Sequence, residues 1–127
     1  MKLLLDTHTI IWFFESDPKL SSTAKSLIVD PDNQNYFSVA SIWEIVIKQN
    51  LGKLNLSKPL DHILSHIQNN GIEIINIEAQ HALKVADLPL HHRDPFDRLI
   101  IAQSLTMGYT ILSKDNKFDL YSIDRLW

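Results

Sequence analysis

Short apolar stretches of strand character alternate with longer stretches of helical character along this 127-residue chain, and that alternation limits the folds open to it. Lys2 to Leu5 reads as a buried strand that stops at Asp6, and Ile10 to Phe14 begins a helix. Ser21 or Ser22 caps a second helix reaching about Val29, ahead of the Asp30-Pro31-Asp32-Asn33 turn. Tyr36 to Val39 is a strand, and Ala40 to Leu51 is helical with Gly52 as its stop. Ser57 and Pro59 announce a further helix closed by Gly71, with Leu60, Ile63, Leu64 and Ile67 forming one apolar stripe. Ile72 to Ile77 is strand-like and Glu78 to Leu88 helix-like. Asp94-Pro95 opens a helix through Met107 that Gly108 ends. Tyr109 to Leu112 is a strand, and Tyr121 to Ile123 is the expected last edge strand. The pattern specifies one α/β domain over residues 1–127 with a mainly parallel sheet, in which sites form beyond the carboxyl ends of strands.

Composition narrows the chemistry. A chain without cysteine has no thiol nucleophile, no disulfide frame and no Cys-ligated zinc. Met1-Lys2-Leu3-Leu4-Leu5 is too short for a signal-peptide core and no apolar run approaches a membrane span, so a cytoplasmic protein is expected. The net charge of −3 runs against generic nucleic-acid binding, but acids gathered around divalent cations reverse the local sign.

Four acids carry the functional expectation. Asp6 follows the first strand, and Asp115 follows the Tyr109–Leu112 strand after Ser113 and Lys114. Parallel strands put both on one sheet edge, although Asp6 also suits a helix cap and Asp115 an Asx turn. Glu44 lies within Ile42-Trp43-Glu44-Ile45-Val46-Ile47, an apolar run around most of a helix, where a buried acid needs a partner or a metal. Its other reading is an i,i+4 pair with Lys48. Asp94 is explained by capping, with Pro95 at N1. Asp97, at N3, has Ile100 and Ile101 at i+3 and i+4 and therefore faces the buried side of its helix.

The histidines make no zinc signature. His62 and His66 sit four apart without the Glu of H-E-x-x-H and read as a solvated face. No P-loop, dinucleotide glycine motif or G-x-S-x-G occurs. Trp12, Trp43 and Trp127 read as core or interface residues rather than base-stacking platforms.

Taken in order, the motifs resemble those of PIN domains. Leu3-Leu4-Leu5-Asp6-Thr7 is similar to their opening strand and Asp, and Ser38-Val39-Ala40-Ser41-Ile42-Trp43-Glu44 to their Ser and helical Glu. Asp97-Arg98-Leu99-Ile100-Ile101-Ala102 resembles the helix of the third acid. Thr110-Ile111-Leu112-Ser113-Lys114-Asp115, with Phe118, resembles the final strand and its acid. His92-Arg93-Asp94-Pro95-Phe96-Asp97-Arg98 looks like the bacterial branch grouped with VapC-type toxins, although Arg98 replaces a commonly small residue. The resemblance spans essentially the whole chain.

What it implies is a three-layer α/β/α sandwich, Mg²⁺ or Mn²⁺ dependence, and endoribonuclease activity on an RNA substrate. It further implies a homodimer and, for a toxin, neutralisation by a small antitoxin. On this reading Asp6 and Asp97 anchor a first metal, Glu44 and Asp115 complete the cluster, and Thr7 and Ser113 orient the acids with Asp94 in support. Arg93, Arg98 and Lys114 are candidates for substrate phosphates, or for pairs such as Arg93 with Asp97 and Arg98 with Asp94. His8 and the His91-His92-Arg93 cluster are either substrate contacts or features of the branch. Two alternatives stand beside it. A catalytically degenerate PIN-like fold would serve as a binding or regulatory protein, which retention of all four acids opposes. A haloacid-dehalogenase-like phosphatase needs a second Asp where His8 stands.

Overall fold

The computed structural model describes residues 1–127. The chain runs β1 (Lys2–Leu5), α1 (Thr7–Glu15), α2 (Ser22–Val29), β2 (Gln34–Ser38), α3 (Val39–Asn50), α4 (Leu60–Asn69) and β3 (Glu73–Ile75). It continues through α5 (Ala79–Val85), α6 (Pro95–Met107), β4 (Thr110–Leu112), a 3₁₀ turn (Asn116–Leu120) and β5 (Arg125–Leu126). The five strands are all parallel, in the order β3-β2-β1-β4-β5.

Leu3, Leu4 and Leu5 are wholly buried because both faces of β1 are covered, as a parallel sheet requires. Their side chains alternate, so Leu3 and Leu5 join Phe37 and Leu112 under α1, α2 and α4. Leu4 joins Tyr36 and Ile111 on the opposite face, under Ile100, Ile101 and Ala102 of α6. The result is the parallel α/β sheet expected from the pattern, in the three-layer α/β/α sandwich that the resemblance implied. No helix is long and apolar enough to cross a membrane.

Several boundaries differ from expectation for physical reasons. The last strand is β5, not Tyr121–Ile123: the Tyr121 ring is drawn into the core, and its hydroxyl accepts the His92 N–H at 2.8 Å. Ser57 does not cap α4; its N–H and hydroxyl both donate to Glu15 Oε1, which ties the preceding loop to the end of α1. Val39 opens α3 rather than ending β2, because the Ser38 side chain accepts the Ala40 N–H as an N-cap. Asp94 and Gly108 bound α6 as read, Gly108 at a φ of 71° that only glycine adopts cheaply.

Register fixes where function can sit. Leu5 pairs with Phe37 and Leu112, so β1, β2 and β4 end at one edge. The chain adds β2 and β3 on one side of β1, then returns to place β4 on the other. The β1–β4 junction is therefore the switch point at which a parallel α/β sheet opens a crevice.

Candidate active site

Asp6 stands at that switch point as the first residue beyond β1. It N-caps α1 in extended geometry, with Oδ1 accepting the Thr7 N–H at 2.7 Å. Oδ2 accepts the Ser113 hydroxyl at 2.7 Å, across the junction with β4. Ser113 Oγ in turn accepts the Asp115 N–H at 3.1 Å, so one hydroxyl ties the acids after β1 and β4 together. Burial pushes the Asp6 carboxyl above the usual range, against the lowering effects of the Ser113 and Thr7 bonds and the His8 charge.

Glu44 comes from α3 and is 3% exposed. Its two oxygens are both partnered: Oε1 accepts the Thr7 hydroxyl at 2.7 Å, while Oε2 makes the i,i+4 pair with Lys48 one turn on. Burial lowers the Lys48 pKa, but the Glu44 bond and the charges of Glu44, Asp94 and Asp97 outweigh it and raise the ammonium. The helix is less enclosed than its sequence suggests. Trp43 is 55% exposed and Val46 is open, with Trp43 packed edge-on against Phe96 of α6.

On α6 the two acids divide their work. Asp94 Oδ1 accepts the Phe96 and Asp97 N–H groups at 2.8 and 3.3 Å, a cap with Pro95 at N1. Asp97 makes no side-chain hydrogen bond. Burial first, then the charges of Asp6, Asp94, Glu44 and Asp115, push its pKa up to about 8. All four acids read from the sequence are thus electrostatically joined at Asp97.

One residue of the site was not assigned from sequence. His92 is buried, with Nε2 3.5 Å from Asp115 Oδ2, and donor atoms of His92, Asp97 and Asp115 all lie within 4.8 Å of one another. Its neighbour His91 is exposed, and nothing in the sequence distinguishes the two. The available signal was position, since His92 lies two residues ahead of the cap that aims Asp97 inward.

The basic residues separate too. Arg98 does not pair with Asp94; its guanidinium donates to the carbonyls of Val85, Leu88, Pro89 and His92 and pins the loop between α5 and α6. Arg93 is exposed and forms no ion pair with Asp97. Lys114 is exposed over the Trp12 ring, 5.9 Å from its centroid. A pocket of about 200 Å³ lined by Asp6, His8, Thr9, Trp12, Lys114 and Asp115 opens beside the acids. A larger one, about 370 Å³, lies at the opposite edge near Asn33 and Gly71, away from this cluster.

Hard carboxylate oxygens gathered about a carboxyl that burial first and their charges next push up fit a divalent cation, which would relieve their repulsion. The arrangement defines a class: a parallel α/β domain with a cluster of acids at its switch point. The chain belongs to the PIN domain family, whose model matches residues 3–124.

Its fold is that of solved PIN-type chains. Similar structures include VapBC2 from Rickettsia felis bound to a DNA fragment from its promoter, at 18% identity and a TM-score of 0.71 over 99% of this chain and 98% of that one. VapBC-1 from nontypeable Haemophilus influenzae matches at 17% identity and a TM-score of 0.66, over 99% and 97%. A toxin-antitoxin complex from Klebsiella pneumoniae matches at 16% identity and 0.65, over 98% and 96%. No curated protein sequence matches the chain as a relative.

Proposed function

We propose that this chain is a Mg²⁺- or Mn²⁺-dependent endoribonuclease and the toxin of a type II toxin–antitoxin pair. The observation that carries the reading is the convergence of Asp6, Glu44 and Asp115 on Asp97, a carboxyl on which all three charges act. Asp6 and Asp97 would anchor a first cation, with Glu44 and Asp115 completing the cluster directly or through water. A divalent cation there supplies Lewis acidity at the phosphate and a nucleophile at neutral pH.

The chain's own side chains prepare that chemistry. Ser113 and Thr7 fix the rotamers of Asp6 and Glu44 by donating one hydroxyl each. Lys48 gives the buried Glu44 carboxylate a cationic partner one turn along the same helix. Lys114 is exposed on the wall of the pocket beside Asp6 and Arg93 is exposed next to His92, and both are free to meet RNA phosphates. Trp12, half-buried between Lys114 and Lys19, walls the pocket beside Asp6 with an aromatic face and two cations.

Partnership is supported separately. Trp43, Val46 and Leu51 leave an apolar strip of α3 and its end open, at 55%, 39% and 62% exposure, as a homodimer or antitoxin contact would use. The solved structures it resembles include VapBC and toxin-antitoxin complexes. A cytoplasmic location follows from the same reading.

The test is cleavage of a structured RNA pool by purified protein with Mn²⁺ and with EDTA, beside Asp6→Asn and Asp97→Asn. Metal-dependent cutting that both substitutions abolish is expected. Cutting that survives them overturns the assignment of these ligands.

A further inference from the structure

We infer that His92 is a nitrogen ligand of the divalent cation, completing a mixed His92–Asp97–Asp115 centre that favours first-row transition ions over Mg²⁺. The inference rests on the metal-dependent reading above and goes beyond it by adding a donor that is not a carboxylate.

His92 is 6% exposed, yet neither ring nitrogen has a hydrogen-bond partner in the protein. A buried imidazole left so carries an uncompensated desolvation cost, which ring stacking alone does not require. The ring is held firmly. It stacks on Tyr121 at 5.4 Å and 21° and lies against Phe118 at 5.2 Å. Its backbone is fixed at both ends, the N–H donating to Tyr121 Oη and the carbonyl accepting from Arg98. So held, Nε2 faces Asp115 Oδ2 at 3.5 Å, beyond a normal charge-assisted bond, with a donor oxygen of Asp97 inside the same 4.8 Å group. A cation about 2.0–2.2 Å from each donor keeps its ligands roughly 3–4.4 Å apart, so small side-chain movements close the set.

Donor type then sets preference. Mg²⁺ selects oxygen and retains its water, whereas imidazole binds transition ions more readily. The other histidines are placed differently. His8 is exposed in the pocket beside Asp6, His91 is exposed against Tyr121, and His81, whose Nδ1 accepts the Glu78 N–H at the start of α5 and whose buried Nε2 is also unpartnered, lies outside the His92–Asp97–Asp115 group.

The experiment is pulsed electron paramagnetic resonance of the full chain loaded with Mn²⁺, reading ¹⁴N coupling, together with Mn²⁺ and Mg²⁺ titrations. Wild type and His8→Gln are expected to show nitrogen coupling. His92→Phe, which keeps the ring stack, and His92→Gln are expected to lose it, with folding of each checked by thermal melting in EDTA. Mn²⁺ affinity should fall about 10–100-fold in both variants while Mg²⁺ affinity changes far less. Mn²⁺ bound by wild type without nitrogen coupling overturns the His92 ligand and leaves the carboxylate centre standing. Coupling that persists in both His92 variants overturns it in favour of another histidine. Failure of wild type to bind Mn²⁺ at all overturns this inference and the metal-dependent reading together.

Discussion

The Ser113 hydroxyl donates to Asp6 Oδ2 at 2.7 Å across the junction of β4 and β1. The hydroxyl has one proton to give, and its lone pair takes the Asp115 N–H, so both acids are referenced to one atom. Removing it leaves Asp6 Oδ2 buried without its donor. Ser113→Ala is therefore expected to destabilise the metal-free protein by about 1–3 kcal/mol in chemical denaturation. Metal affinity should drop about 10–100-fold in calorimetry, the usual cost of losing a group that orients a ligand. An unchanged affinity would show that Asp6 needs no such alignment.

Glu44 and Lys48 make the second prediction. Lys48 is about a third exposed at its side chain, but its partner carboxylate is 4% exposed, so the pair is not an ordinary surface ion pair. Lys48→Met strands that charge with only the Thr7 hydroxyl as donor. Breaking a fully buried pair costs roughly 3–5 kcal/mol, and solvent at Lys48 reduces this to about 2 kcal/mol here. Urea denaturation of the variant in EDTA measures the loss. Lys48→Arg should recover much of it.

Arg98 supplies a prediction of a different kind. Its donors reach four carbonyls, that of Val85 at the end of α5 and those of Leu88, Pro89 and His92 in the loop that follows. Lysine keeps the charge but cannot span those acceptors with a planar fork. Arg98→Lys is expected to raise proteolytic nicking between residues 86 and 93 and to lower stability by about 1–2 kcal/mol. Unaltered proteolysis would instead leave Arg98 free for substrate.

These cases show which features were legible in sequence. β1 ending in Asp6 and α6 bounded by Asp94-Pro95 and Gly108 are written in local signals, namely a short apolar run, a cap and a glycine stop. The sheet edge followed from strand alternation, and with it the meeting of Asp6 and Asp115. Tertiary pairings were not legible. β5 has only two residues, and its position depends on the Tyr121 ring being drawn into the core. Which of His91 and His92 turns inward depends on Tyr121 and Phe118, both distant in the chain, and on the direction Arg98 takes six residues on. Arg98 looked like half of an i,i+4 pair with Asp94, but carbonyls of the preceding loop take its donors and the cap takes Asp94. The exposure of Trp43 was hidden for the same reason: an apolar run does not say which of its faces the fold covers.

Asp97 gives the last prediction, in pH. In the metal-free fold its pKa is pushed up to about 8 from the ordinary 3.8, so between those values the folded chain binds a proton that the unfolded chain has released. The unfolded state holds fewer protons there, and stability must fall as pH rises. The contribution is whole below about 4 and lost by about 8, with a slope of at most about 1.4 kcal/mol per pH unit from this one group. Burial raises Asp6 as well, which acts in the same direction. A divalent cation competes with that proton for the ionised form, so saturating Mn²⁺ should stabilise the protein more at pH 8 than at pH 5. Thermal melts at both pH values, in EDTA and in Mn²⁺, read the two slopes directly. In Asp97→Asn the metal-free slope should flatten, because the titrating group is gone and the remaining acids have lost a like charge.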